Sequence, residues 1–361
     1  LLQGLVVGRP SDSFFTRVFQ FGMRHGMRSY TAGSAWWQGD CGPFWGHNAA
    51  IRMQAFRDYC QLPVLPGKAP LGGHILSHDQ VEAVLMRRAG YECRVVAEED
   101  ESFEENPPSL QDFIKRDLRW CQGNMQYLKL LDMPGIKPVS RLQLALAILM
   151  YVGAPGWMAL IIFGAAQVFM PGGTEPFPAT LGLTLFATVM TMTFMPKIMG
   201  VLDTLLSPAK RRTYGGAAAL LWGTFVELIF SALMAPLIGF AVARFMIGLA
   251  FGKRVAWEAQ IRVGGGLAWS DAVRGLWPQT LAGVAILSVF WWKMQSVLPW
   301  AAPIFVAFLC AIPFAVVTAL PSLGRASQRV GLCRIPEEAA IPAAPLSPVA
   351  DNHLSMIKQE S

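Results

Sequence analysis

Three groups of side chains have the types and spacing to do chemistry. Asp79 follows Ser77-His78 at the start of an apolar-periodic stretch. A carboxylate at a helix start is stabilised by the macrodipole and by free N–H groups, so it can serve as a general base or simply as an N-cap. Arg116, Arg119 and Trp120 fall in Lys115-Arg116-Asp117-Leu118-Arg119-Trp120. Arginine forks onto phosphate oxygens, and a tryptophan face stacks on a pyranose ring. The bland alternative is an interfacial Trp beside a snorkelling Arg. Gly46-His47-Asn48 follows Phe44-Trp45. Small residues there let backbone approach a substrate, and His47 offers a base, a ligand or a structural hydrogen bond.

The elements that must position these groups alternate between helix and strand. Ser11 to Met27 carries helical periodicity, with Ser11 or Asp12 as its cap. Ala49 to Arg52 reads as a buried strand, Asp79 to Ala89 as a helix closed by Gly90, and Tyr91 to Ala97 as a strand. Asn106-Pro107-Pro108 is a loop, and Ser109 caps a helix running to about Leu131 that bears the Arg-Trp box. The expected fold class is α/β for residues 1–140, a partial domain of the GT-A glycosyltransferase type, followed by an α-helical transmembrane bundle. No Gly-rich nucleotide loop is visible, so residues 1–140 read as the second half of a larger domain. The chain opens on Leu1-Leu2-Gln3-Gly4, without Met or a signal peptide, and the expectation is a fragment lacking its N-terminal part.

Composition sets the solvent. Hydrophobic residues make up 53% and charged residues 15% of the 361, against about 25% charged in soluble chains. The deficit is concentrated. Leu142 to Pro196 holds one charged residue, Glu175, and Pro278 to Pro321 one, Lys293. The net charge of +6 sits largely beside apolar runs, as in Lys210-Arg211-Arg212, which is the pattern that orients membrane segments. No basic stripe with interleaved aromatics points to nucleic acid. The six cysteines show neither CxxC nor zinc spacing and read as reduced thiols.

Residues 141–325 are therefore expected to span a bilayer. Leu142 to Met170 leaves and Ala179 to Leu206 returns; Thr280 to Leu298 leaves and Ala301 to Leu320 returns. Gly216 to Phe251 starts and ends beside basic loops, so it crosses an even number of times. Two crossings turning at Ala235-Pro236 give six spans, the favoured count; an interfacial or re-entrant segment gives four. Glu227 and Arg244 inside it would each cost about 3 kcal/mol facing lipid at mid-bilayer, so they should face protein, water or the interface. Residues 326–361 are expected to be a disordered tail on the soluble domain's side.

Order and spacing together carry more than any single motif. Phe44 to Asn48, Ile75 to Asp79, Met86 to Gly90, Lys115 to Asn124 and Ile335 to Glu338 resemble the processive family 2 glycosyltransferases, in the branch that makes osmoregulated periplasmic glucans. The wider family, with its cellulose and hyaluronan synthases, has a Thr/Ser-x-Asp base and a Gln-x-x-Arg-Trp box. Arg116 stands here in place of the Gln, as in that branch. The resemblance implies an inverting glucosyltransferase of the bacterial inner membrane, with catalytic domain and C-terminus cytoplasmic. It would use UDP-glucose as donor and a growing β-glucan as acceptor, with a periplasmic glucan biosynthesis protein as a further partner. Asp79 would be the base, and His78, Gly46, His47, Asn48, Arg116, Arg119 and Trp120 would contact substrate. A divalent metal, Mg or Mn, would be held by an Asp-x-Asp motif upstream of the residues present. The rival classes are a transporter or channel with an α/β head and an inactive fragment.

Overall fold

The computed structural model describes residues 1–99, 102–167, 169–170, 179–255, 265–293, 295 and 298–340. The described strands all precede residue 105: β1 (Leu2–Gly4), β2 (Val7–Gly8), β3 (Ala49–Ala50), β4 (Arg94–Val96) and β5 (Phe103–Glu104). β1 is central in one small sheet, antiparallel to β3 and parallel to β4, with Leu2 opposite both Ala50 and Arg94. β2 pairs with β5 in parallel. Between and after them lie α1 (Phe14–Gln38), α2 (Met53–Tyr59), α3 (Asp79–Arg88) and α4 (Leu110–Gln126). The structure is mostly helical.

α1 starts at Phe14, three residues after the predicted stretch opens at Ser11, and runs to Gln38, well past Met27. Ser13, not Ser11 or Asp12, is the N-cap, its side chain accepting from the Thr16 N–H. α4 starts as expected, with Ser109 Oγ accepting from the Asp112 N–H, and ends in a short 3-10 turn, Tyr127–Lys129. The cysteines are free thiols.

Past residue 137 come α5 (Pro138–Gln167), α6 (Ala179–Leu206), α7 (Pro208–Thr213), α8 (Ala217–Ala250), α9 (Trp269–Lys293), α10 (Leu298–Leu309), α11 (Ala311–Thr318), α12 (Pro321–Arg329) and α13 (Glu337–Ala340). α5, α6, α8 and α9 are each long and apolar enough to cross a membrane, and α10 with α11 forms a fifth candidate bent by 57°. α10 and α11 cover the stretch Ala301 to Leu320 expected to be apolar helix, while α9 begins eleven residues before Thr280 because Trp269 to Gln279 continues the same helix.

Two expectations fail here. Gly216 to Phe251 is not a hairpin: α8 is one helix of 34 residues with Pro236 inside it. Pro236 removes one backbone hydrogen bond but does not by itself reverse the chain, and the apolar residues on both sides of it continue the same helix. Nor is the segment from residue 326 unstructured throughout. α12 and α13 pack back onto α1, where Arg17 Nη1 meets Glu338 Oε1 at 2.8 Å and Arg24 Nη1 meets Glu337 Oε1. Residues 341–361 lie outside the described residues.

The soluble and apolar parts are also interleaved more than a simple succession implies. α1 packs on α6 and α8, and one core joins Phe15 and Phe21 of α1 to Leu220 and Phe230 of α8 and Phe314 of α11. Phe19 stacks edge-on against Phe113 of α4, with centroids 5.1 Å apart. A second core joins α3 and α4 to Leu144 and Ile148 of α5 and to Val242 and Leu249 of α8. Glu227 is buried and paired with Lys197 of α6 at 2.6 Å, which meets the requirement that it face protein.

Candidate functional site

The site is built where α3 begins. His78 is the N-cap of α3 and Asp79 its first residue, and no side chain caps the helix from the N-cap position. Asp79 is thus not in the capping role. His78 Nδ1 lies 3.1 Å from Glu82 Oε1 and 3.2 Å from Asp79 Oδ1. Burial pushes the Asp79 carboxyl above the ordinary carboxylate range, against the opposing pull of His78 and His47. Glu82 is shifted upward by burial as well, again opposed by His78.

The Gly46-His47-Asn48 loop is pressed against that carboxylate. Gly46 has φ +82° and Asn48 φ 52°, the left-handed region that favours Gly and tolerates Asn. A Cβ at position 46 would lie 2.5 Å from Asp79 Oδ1, so only glycine permits this approach. Gln3, fully buried on β1, holds the loop in place. Its Nε2 donates to the carbonyls of His47 at 3.0 Å and Asn48 at 3.2 Å, and its Oε1 accepts from the Trp45 N–H at 2.9 Å. Asn48 donates to the Phe103 carbonyl at 3.0 Å, and His47 Nε2 lies 3.6 Å from Glu104 Oε2.

α4 closes the other side. Gly123 packs directly on Ser77, leaving no room for a side chain. Tyr127 Oη donates to the Ser77 carbonyl at 2.7 Å, and Gln126 spans the same loop, accepting from the Leu76 N–H and donating to the His74 carbonyl. The helix bearing the Arg-Trp box is therefore tied to the loop that presents Asp79. Arg116 is buried, its guanidinium 4.8 Å from the Trp120 ring and 5.3 Å from the Phe113 ring. Its Nη1 reaches Asn106 Oδ1 at 3.4 Å. Burial lowers its pKa, while Glu104 and Asp117 pull it back up. Trp120 is 44% exposed, and Arg119, one residue before it, is partly exposed.

Of the sequence-predicted residues, Asp79, His78 and the Gly46-His47-Asn48 loop lie together, and Arg116, Arg119 and Trp120 sit on the helix tied to the Ser77 loop; Glu104, beside His47, is an addition. Arg116 departs from a direct substrate contact, since its guanidinium backs Trp120 from within the protein. Gln3 and Glu82 are missed by motif reading. Gln3 had a signal, being the lone polar residue in Leu1-Leu2-Gln3-Gly4-Leu5-Val6-Val7, where a buried amide must find partners. Glu82, one turn after His78, sits on the α3 face otherwise read as apolar.

Among the described residues, His78, Asp79 and Glu82 form the one group of three whose donor atoms lie close enough to hold a metal ion, all within 4.8 Å of one another. The set fits poorly the metal expected to steady a diphosphate. An imidazole nitrogen suits Mn more than the oxygen-seeking Mg, and Nδ1 is already engaged by Glu82. A dication on Asp79 would also occupy the carboxylate that the family resemblance casts as base.

Residues 1–318 match the model of the family described as glycosyl transferase family group 2. Glucans biosynthesis glucosyltransferase H of Xanthomonas campestris pv. campestris (strain B100) is 36% identical over 352 residues, which cover 94% of this chain and 55% of that protein. The proteins of the same name from Xylella fastidiosa (strain 9a5c) and Cupriavidus pinatubonensis are 35% and 36% identical, again over 94% of this chain but 56% and 40% of their own lengths. The chain thus spans about half the length of the curated relatives it matches. With the match extending through both the Asp79 loop and the Arg-Trp helix, the chain belongs to glycosyl transferase family group 2.

Proposed function

We propose that this chain carries the base and acceptor side of an inverting hexosyltransferase, which adds glucose from UDP-glucose to the growing β-glucan backbone of osmoregulated periplasmic glucans. The observation that carries the reading is the packing of Gly123 on Ser77, which sets the Arg-Trp helix beside Asp79. Asp79 takes the proton of the acceptor hydroxyl as its oxygen attacks the anomeric carbon. The bond from that carbon to the diphosphate oxygen breaks, and UDP leaves with its electron pair. Trp120 stacks the acceptor sugar, Arg119 faces the diphosphate, and Arg116 holds the Trp120 ring from behind. Gly46, His47 and Asn48 form the wall against the reacting hydroxyl. A divalent metal, Mg or Mn, would offset charge on the leaving diphosphate; no step above runs through it, because the described three-donor cluster contains the base. The GT-A type of domain is part of the same reading.

The test is transfer from a panel of UDP-sugars by the full-length protein, with linkage analysis of the product. Incorporation of β-linked glucose is expected. Incorporation of another hexose in its place would overturn the donor assignment, and no incorporation from any donor would overturn the transferase.

The helices support an arrangement at the bacterial inner membrane with the catalytic side and C-terminus cytoplasmic. α8 meets α1 through its first third and α4 through its last. Its 34 residues reach about 51 Å, against a hydrocarbon core of about 30 Å. We place α8 along the cytoplasmic face. α5 and α9 then leave, and α6 and the α10–α11 pair return, giving four crossings that bring α13 back to α1. In a background lacking Cys310, Thr213→Cys and Phe251→Cys should both react with a membrane-impermeant thiol reagent from the cytoplasmic side of inverted vesicles. Labelling of the two from opposite sides would make α8 a crossing.

A further inference from the structure

The apolar helices line a half-open cavity of about 490 Å³ between α5, α8 and α9, within the range of about 300–1,000 Å³ typical of small-molecule sites. Its walls are aliphatic and aromatic, including Met158, Ile162, Phe240, Ala282 and Ile286, and Arg244 is the charged residue lining it. A sugar chain would find no hydrogen-bonding groups on such walls, whereas an acyl chain would lose nothing. Arg244 has no ion pair or hydrogen bond among the described residues. It sits in the last third of α8, shortly before Val255, whose N–H donates to Gln122 of α4 at 2.8 Å.

We infer that this cavity is a lipid site: it takes one acyl chain of an anionic phospholipid, whose phosphate pairs with Arg244. The charge decides the class. A guanidinium without a partner among the described residues, beside hydrocarbon walls, suits a bidentate oxyanion, and a bilayer supplies one on the same molecule as the chain that fills the cavity. A zwitterionic lipid offers the same chain with its phosphate charge offset by an ammonium.

The full chain in phosphatidylcholine bilayers, with a trace of phosphatidylglycerol bearing a photoreactive acyl chain, tests the site. A matched photoreactive phosphatidylcholine is the comparison, and labelled peptides are read by mass spectrometry. The anionic probe should label the α5 and α9 walls about fivefold more than the zwitterionic one, the ratio expected for one cation at the surface. Arg244→Gln should remove that preference and Arg244→Lys should keep part of it. Ala282→Phe, which fills the cavity, should reduce labelling of these walls by both probes while α6 stays labelled. Equal labelling of the wild-type walls by the two probes, or a preference that survives Arg244→Gln, would overturn the site. A chain that fails to float with the vesicles and labels nowhere, α6 included, would overturn the membrane arrangement and the site with it.

Discussion

Asp79→Asn lowers the turnover of glucose transfer by about 10²–10⁴-fold, the usual contribution of a positioned general base, while UDP binding stays near that of the wild-type protein. Asn keeps the size of the side chain and its place against Gly46, so the loss isolates proton acceptance. Radiolabelled glucose incorporation by the full-length variant measures it, and incorporation near wild type would remove Asp79 from the mechanism. The pH dependence follows from burial, which raises the Asp79 pKa in the fold. The base must be ionised, so transfer is lost as pH falls through that raised value, at a pH above about 3.9, the ordinary aspartate figure. Stability runs the other way. A carboxyl with a raised folded pKa contributes stability that is full below the unfolded value and is lost as pH rises through the folded one. The Asn variant is spared that loss, so at neutral pH it should melt no lower than wild type. An inactive variant that is also less stable would point to a structural role.

Arg17→Met has the largest expected effect on stability. Arg17 and Glu338 have side-chain exposures of 1% and 7%, and Arg17 also donates to Ser327 Oγ at 2.9 Å and the Leu332 carbonyl at 3.0 Å. Removing one partner leaves the other charge buried, a loss of about 3–5 kcal/mol. Arg17→Met with Glu338→Leu removes both charges and should recover part of that loss. Denaturant unfolding of the detergent-solubilised protein closes the cycle. If the double variant is destabilised by the sum of the two singles, the pair is not coupled. Arg24, joined to Glu99 at 2.8 Å and to Glu337, should behave alike, with a smaller effect because Glu99 is partly exposed.

What could be read in advance follows the range of the forces involved. The start of α3 at Asp79, the Ser109 cap and the bounds of α6 at Ala179 and Leu206 are set by neighbours within a few residues, so local pattern suffices. α8 is different. Its ends lie in one helix although the positive loops on both sides call for an even number of crossings, and its contacts with α1 and α4, which local pattern does not reveal, are the ground on which we place it along the cytoplasmic face. Arg116 illustrates the same point within the site: a cation beside an aromatic reads as a ligand-binding pair until its guanidinium is found stacked on Trp120 inside the protein. Gln3 is legible as an oddity, a buried amide in an apolar run, but its partners at Trp45, His47 and Asn48 are more than forty residues away. The ordered Glu337 and Glu338 are hidden by the Pro- and Ala-rich composition around them.

The return of the chain's end to α1 sets an order of events. Arg17 and Glu338 are 321 residues apart, and Arg24 and Glu337 are 313 apart. At about 5–20 residues per second of synthesis, α1 waits on the order of tens of seconds for the carboxylates that neutralise its arginines. α1 is completed only once α13 has been made. α6 and α8 cover its apolar face earlier, but Arg17 lacks its carboxylate until then, and a ribosome-stalled chain ending before Leu332 should be cut within α1 more readily than the finished protein.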